Sequence, residues 1–236
     1  MVYEARKIKH SNKNIFIYAF SIMGNGKIEN QDSFLIHEDD DQVIIVVADG
    51  LGSAAYSKEG SKKIVEVSAN ILSNTEKYND VYFEILNDWK NGLEGNLNQY
   101  DTTLKFIKIT KNNLAYGGVG DGWIAIKTDQ GVLNVISDNT FSNQTDSILT
   151  FNLKDKFIIN NIQTNGNIVG LISTDGFSED IEKENCDIFL NAVNSELIKD
   201  ENGFVDDMKI TLSNWPIETN RDDKTVVFFR IEEGER

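Results

Sequence analysis

Acidic residues recur in the chain at points where apolar runs end. Asp49, Asp121 and Asp175 each precede a glycine, and two of them follow the apolar runs Val43–Ala48 and Ile168–Ser173. Carboxylates gathered at the ends of neighbouring strands are held close together by a rigid backbone. Such a group of like charges favours a bound cation. The spacing therefore indicates a metal site made of oxygen ligands.

An Asp-Gly pair is also typical of a β-hairpin turn. A hairpin needs a strand on each side, whereas the sequence after Gly50 and after Gly176 has a helical pattern. For these two pairs we therefore favour a site over a turn. Asp121-Gly122 lies between two strand-like runs, so the turn and the site interpretations are equally open there.

Two further motifs place acids beside predicted strands. Asp222 and Asp223 precede the last strand, and Asp32 begins the strand SFLIH. Each of these alone is typical of a solvated loop. Together with the Asp-Gly pairs they favour hard ions such as Mg²⁺ or Mn²⁺. Two such ions about 3.5–4 Å apart activate water and hold a phosphoryl group, so hydrolysis of a phosphate ester is the leading chemistry.

The composition excludes several classes of protein. The 236 residues include 23 Lys plus Arg and 38 Asp plus Glu, which gives a net charge of −15 and argues against nucleic-acid binding. No apolar run approaches the roughly 20 residues that span a bilayer, so we expect no membrane association and a cytoplasmic location. The lone Cys186 and two histidines do not suffice for a disulfide or a zinc site.

The pattern of the chain predicts one domain over residues 1–236, in which the polar stretch 138–167 is a candidate flap. Strands are predicted at Ile15–Phe20, Ser33–His37, Val43–Ala48, Thr103–Thr110, Leu114–Val119, Trp123–Thr128, Val132–Ser137, Ile148–Leu153, Phe157–Ile162, Ile168–Ser173 and Thr225–Ile231. Helices are predicted at Ser57–Ser73, Val81–Leu97, Asp180–Lys199 and Phe204–Trp215. This order favours an α+β fold with two mostly antiparallel sheets packed together and helices outside them.

The motifs as a set resemble the metal-dependent protein phosphatases of the 2C type, and most of all their bacterial branch. The resemblance covers nearly the whole chain. It is carried in order by GKIENQDSF, VVADGLGSAAYSKEGS, TTL, YGGVGDG, FSNQT, LISTDGFSED and DDKTVV. It implies a four-layer α-β-β-α sandwich, two or three Mn²⁺ or Mg²⁺ ions, and hydrolysis of phosphoserine or phosphothreonine.

The resemblance also implies roles for particular residues. Asp49 would bridge two ions, the Gly50 carbonyl would complete one of them, and Asp175 and Asp222 would bind the other. The implied role of Asp32 is to hold water on the ions. Asp121 would bind a third, weaker ion together with Asp175.

Three positions depart from the pattern of the family. Lys27 stands where many members have an arginine that binds the substrate phosphate, and lysine lacks the bidentate fork. Gln31 replaces a glutamate found in several members, and Leu51 replaces the histidine of animal members. Because the three aspartates implied as direct ligands are all present, an active enzyme is expected.

The resulting prediction is a monomeric serine/threonine phosphatase whose partners are phosphorylated proteins, a kinase or the targets of that kinase. Two alternatives stay open. One is a catalytically weak regulatory module that keeps the fold and binds metal or a phosphoprotein. The other is hydrolysis of a small phosphorylated metabolite.

Overall fold

The computed structural model describes residues 1–10, 12–136, 145–215 and 220–234 of the chain. The strands are β1 Val2–His10, β2 Lys13–Ile22, β3 Asp32–Glu38, β4 Gln42–Asp49, β5 Leu104–Thr110, β6 Asn113–Val119, β7 Trp123–Thr128, β8 Gly131–Val135, β9 Ile158–Gln163, β10 Ile168–Ser173 and β11 Lys224–Glu233. The helices are α1 Ser57–Asn74, α2 Val81–Asn91, α3 Leu153–Lys156, α4 Asp175–Ser178, α5 Cys186–Lys199 and α6 Glu201–Ser213.

The described strands form two antiparallel sheets. One sheet has six strands in the order β1-β2-β11-β10-β7-β8, and the other has five in the order β3-β4-β5-β6-β9. The last strand, β11, lies between β2 and β10 and pairs antiparallel with both. Chain neighbours such as β6 and β7 therefore belong to different sheets.

The central strands are uninterrupted runs of apolar residues because both faces of these strands are buried. In β4, Val43, Ile45 and Val47 face the core between the sheets. Ile44 and Val46 of the same strand face α1 and α2 on the outside. On the other sheet, α5 and α6 cover the outer face through residues such as Leu190 and Phe204. This arrangement confirms the α+β fold with two antiparallel sheets between helical layers.

The structure also corrects the predicted elements. β1 was not predicted, and residues 148–153 form no strand but a turn that leads into α3. The fully buried Ile148 makes this stretch look strand-like, although its amide donates to the Thr102 carbonyl of a neighbouring loop. α2 ends at Asn91, and α5 begins only at Cys186.

The structure describes only part of the stretch that was predicted as a flap. Residues 138–144 lie outside the described residues, and residues 158–163 form β9, which pairs with β6 as an edge strand of the sheet. That part of the stretch is therefore sheet and not flap. Gating by the rest stays a prediction.

Among the described helices, none is long and apolar enough to cross a membrane.

Backbone carbonyls at the C-terminal end of α1 accept hydrogen bonds from a lysine of the sheet below the helix. Lys108 on β5 is buried, and its Nζ donates to the carbonyls of Leu72 and Thr75, each at 2.7 Å. Lys108→Met should lower the free energy of unfolding by about 1–3 kcal/mol, because the Leu72 and Thr75 carbonyls lose the hydrogen bonds that Lys108 donates. Urea titrations would measure the loss. Lys111→Met, at an exposed position of the adjoining turn, is the control with the same charge change, and equal losses in the two variants would contradict the assignment.

Candidate active site

Asp32 and Asp49 lie directly opposite each other where β3 begins and β4 ends. The backbone of Asp49 is fixed from the next strand: its carbonyl accepts from the Thr103 amide and the Thr102 hydroxyl, both at 2.8 Å. Gly50 then donates its amide to the Gln31 carbonyl. These contacts hold the first two carboxylates at one end of the five-stranded sheet.

Asp175 and Asp222 come from the corresponding end of the other sheet. Asp175 begins the short helix α4 directly after β10, and Asp222 lies two residues before β11. A hydrogen bond between the sheets joins the two pairs of acids, because the Thr174 hydroxyl donates to Asp32 Oδ2 at 2.8 Å. The acids of both sheets therefore face one crevice.

Asp121 lies between β6 and β7, which pair with other strands and not with each other. The hairpin interpretation of Asp121-Gly122 is therefore wrong. Burial raises the pKa of Asp175, and the negative charge of Asp121 raises it further. Asp121 Oδ2 accepts the Thr145 hydroxyl at 2.7 Å, which ties it to the segment before α3.

Lys27 is a cation that contacts this group of acids. Its Nζ donates to Asp222 Oδ1 and, at 3.0 Å, to Asp223 Oδ2. Asp223 also accepts the backbone amides of Gly24 at 2.7 Å and Gln31 at 2.9 Å. Asp223 thus fixes both ends of the Lys27 loop. Burial alone would lower the pKa of Lys27, but its hydrogen bonds to the two aspartates outweigh burial and raise it.

The crevice is electrostatically strained. Burial raises the pKa of Asp32 to about 7, even though Thr174 donates to its carboxylate. Burial, with the charges of Asp121 and Asp222, raises the pKa of Asp175 to about 7. The pKa of Asp49 is raised by burial and by the charges of Asp32 and Asp175. Shifts in one direction at adjacent carboxyls are typical of functional sites.

Two glycines allow the backbone to come close at this point. A Cβ on Gly50 would lie 2.6 Å from the Ser57 carbonyl oxygen, at the start of α1. On Gly176 it would lie 1.9 Å from the Asp223 carbonyl oxygen. The glycines that follow Asp49 and Asp175 are therefore required by packing as well as by any ligand role.

The donor set fits a hard divalent cation. Among the described side chains, one oxygen on each of Asp32, Asp121 and Asp175 is buried without a hydrogen-bond partner. Carboxylate oxygens in this state are suitable ligands for Mg²⁺ or Mn²⁺. In the ranges that the structure describes, no three acidic, imidazole or thiol groups stand close enough to hold an ion as they are. To hold a shared ion, these side chains would have to turn toward it.

The sequence-predicted residues Lys27, Asp32, Asp49, Gly50, Asp121, Asp175 and Asp222 all lie at this end of the sandwich. Two contributors were not predicted. Thr174 links Asp32 to the other sheet, and Asn220 accepts the Asp222 amide while donating to the Gly176 carbonyl. The position of Thr174, a hydroxyl residue immediately before Asp175, could have indicated its role. Asn220 lies before the predicted DDKTVV motif, and the sequence contains no signal for its role.

The family model for protein phosphatase 2C matches residues 25–214 of the chain. The chain therefore belongs to the protein phosphatase 2C family. No curated protein sequence matches it.

Several solved structures share the fold. RsbX in complex with magnesium has a TM-score of 0.69 at 19% identity, covering 98% of this chain and 100% of RsbX. The catalytic domain of the serine/threonine phosphatase PstP, in complex with two manganese ions, has a TM-score of 0.65 at 16% identity, covering 93% and 99%. The S. agalactiae serine/threonine phosphatase has a TM-score of 0.66 at 16% identity, covering 91% and 98%.

Gly176→Ala tests the close packing of the two acidic segments. The new Cβ would overlap the Asp223 carbonyl, and overpacking of this kind costs about 1–3 kcal/mol or more. We expect a lower midpoint in thermal unfolding. Gly52→Ala is the control, since no atom lies within 4 Å of its Cβ position. A Gly176→Ala protein as stable as the Gly52→Ala protein would show that the segments are not in contact.

Lys27→Met tests the pairing with the acids. Without added metal and with EDTA present, the variant should lose about 1–3 kcal/mol of unfolding free energy, because the fully buried Asp223 side chain loses a donor. Lys58→Met removes an exposed pair with Glu29 and should cost at most about 1 kcal/mol. Indistinguishable denaturation curves for the two variants would argue against a buried Lys27 pair.

Proposed function

We propose that the chain is a metal-dependent phosphoprotein phosphatase that hydrolyses phosphoserine or phosphothreonine. The observation that carries this function is the group of carboxylates from both sheets, with buried oxygens that have no partner, at the end of a protein phosphatase 2C fold.

In the proposed site, two Mn²⁺ or Mg²⁺ ions would be held by Asp49, the Gly50 carbonyl, Asp175 and Asp222. Asp121 and Asp175 would hold a third. When bound, such ions supply a water made nucleophilic near neutral pH and neutralise charge on the phosphoryl oxygens. Asp32 Oδ1 is buried without a hydrogen-bond partner among the described residues and would be the atom to accept a hydrogen bond from that water. Thr174 keeps the Asp32 carboxylate oriented for this role.

Lys27 binds the substrate in this proposal. The loop that Asp223 anchors already directs the Lys27 ammonium at the acids. The ammonium can replace its contact with Asp222 by a contact with a phosphoryl oxygen. Because lysine acts as a point charge, it orients the phosphate less strictly than a guanidinium does. Leu51, directly after Gly50, cannot supply a proton, so the leaving oxygen takes its proton from water.

The proposed partners are phosphorylated proteins, either a serine/threonine kinase or its targets, met in the cytoplasm by a monomeric enzyme. The net charge of −15 supports the absence of nucleic-acid substrates.

A second candidate is a catalytically weak regulatory module with the same fold. The observation in its favour is that Lys27 neutralises Asp222, one of the proposed ligands. If wild-type protein binds Mn²⁺ but shows no turnover, Lys27→Arg and Gln31→Glu should identify which departure from the family silences it.

The primary test is hydrolysis of a phosphothreonine peptide and of p-nitrophenyl phosphate with added Mn²⁺. We expect turnover that EDTA abolishes and that Asp49→Asn or Asp175→Asn lowers more than about 100-fold, since even groups that only support metal ligands cost 10–100-fold. Steady-state kinetics on both substrates would also separate a protein phosphatase from a metabolite phosphatase.

Asp207→Asn, on the exposed face of α6, removes the same charge away from the site and should leave turnover unchanged. Circular dichroism establishes that the variants are folded. Turnover that persists in EDTA or in folded Asp49→Asn would refute the metal-dependent mechanism.

A further inference from the structure

A large cavity adjoins the acids but takes no part in the proposed chemistry. Its volume is about 700 Å³. Its walls are the loop after Gly50, the 3-10 turn Leu97–Tyr100 with Asp101 directly after it, and the segment from Thr145 to Phe151. Binding sites for small ligands span about 300–1,000 Å³. The cavity is thus large enough for a side chain together with some of its neighbouring backbone.

Hydrogen bonds join the walls to the strand that carries Asp49. The Leu51 amide donates to the Asp101 carbonyl at 3.0 Å, and the Ser147 hydroxyl donates to Asp101 Oδ2 at 2.8 Å. The Ile148 amide donates to the Thr102 carbonyl at 2.9 Å. Because Thr102 also binds the Asp49 carbonyl, the cavity has a fixed position relative to the acids.

The lining of the cavity is negatively charged. Asp101 and Asp146 line it, and no lysine, arginine or histidine is among its lining residues in the described part of the chain. Among the described residues, Asp146 forms one ion pair, with Lys156 of α3. Lys156 itself does not line the cavity. The cavity is therefore suited to a cationic group.

The lip of the cavity is aromatic. Phe151 lines it, and 88% of the Phe151 surface is exposed. Leu51 and Leu149 add apolar surface to the same walls. A long basic side chain matches this combination, because its methylene stem can cover apolar surface while its charge lies over the ring or near a carboxylate.

We propose that this cavity binds an arginine or lysine side chain of the phosphoprotein substrate, a few residues from the phosphorylated one. The inference rests on the proposed phosphatase function and adds the substrate class. A chain extends about 3.3–3.6 Å per residue, so a phosphothreonine held at the acids brings its neighbours to the wall that begins at Leu51. The basic group also offsets the overall charge of −15.

The test compares phosphothreonine peptides in which one arginine, or its neutral analogue citrulline, is moved through the positions on both sides of the phosphothreonine. For wild-type protein with Mn²⁺, we expect one position at which kcat/KM is about tenfold higher for arginine than for citrulline, the ratio that one charge-assisted contact supplies. The arginine-to-citrulline ratio, measured within each variant, is the readout.

Three variants and two controls assign the preference to the cavity. Asp146→Asn and Phe151→Ala should reduce the ratio toward one, whereas Lys156→Met should raise it because Asp146 loses its competing partner. Asp155→Asn on α3 and Phe83→Ala on α2 are matched controls at exposed positions outside the cavity and should keep the wild-type ratio. A ratio near one at every position in wild-type protein, or a ratio unaltered by Asp146→Asn and Phe151→Ala, would overturn the inference.

A binding measurement separates this inference from the proposed function. Fluorescence anisotropy with labelled arginine and citrulline peptides reports the same ratio as a ratio of Kd values. If neither peptide is hydrolysed but the arginine peptide binds about tenfold more tightly, the phosphatase proposal fails and the cavity assignment stands. If both peptides are hydrolysed and bound equally, the phosphatase proposal stands and the cavity assignment fails.

Discussion

The structure depends on one electrostatic constraint, the confinement of several carboxylates in one crevice with little access to water. Carboxylates buried next to one another must be protonated, be neutralised by a cation, or bind a metal ion. The raised pKa values of Asp32, Asp49 and Asp175 favour the first response, and the pairing of Lys27 with Asp222 is an instance of the second. The third is the response on which catalysis would depend.

The two-sheet architecture makes this confinement possible. Asp32 and Asp49 are carried by one sheet, and Asp175 and Asp222 adjoin the other. Apolar strand faces between the sheets fix their separation, so the acids cannot move apart to relieve repulsion. The Thr174 hydrogen bond to Asp32 is a direct polar link across the gap. Packing of the core thus maintains the electrostatic strain at its end.

Sequence patterns predicted most strands and the acids because long apolar runs that stop at Asp-Gly mark buried strands. They missed β1, an edge strand whose apolar residues are interrupted by charges such as Arg6, Lys7 and Lys9. They also mistook the isolated buried Ile148 for part of a strand. The contact between Lys27 and Asp223 joins residues 196 positions apart, and no local pattern encodes such a pair.

The position of β11 has a consequence for the order in which the protein is made. This strand lies inside the six-stranded sheet, between β2 and β10, and Asp222 and Asp223 come just before it. A nascent chain that has not yet reached β11 has the other acids, but it has neither the middle strand that aligns β2 with β10 nor the anchor of the Lys27 loop. The site therefore forms only after synthesis has passed this strand, and incomplete chains lack it.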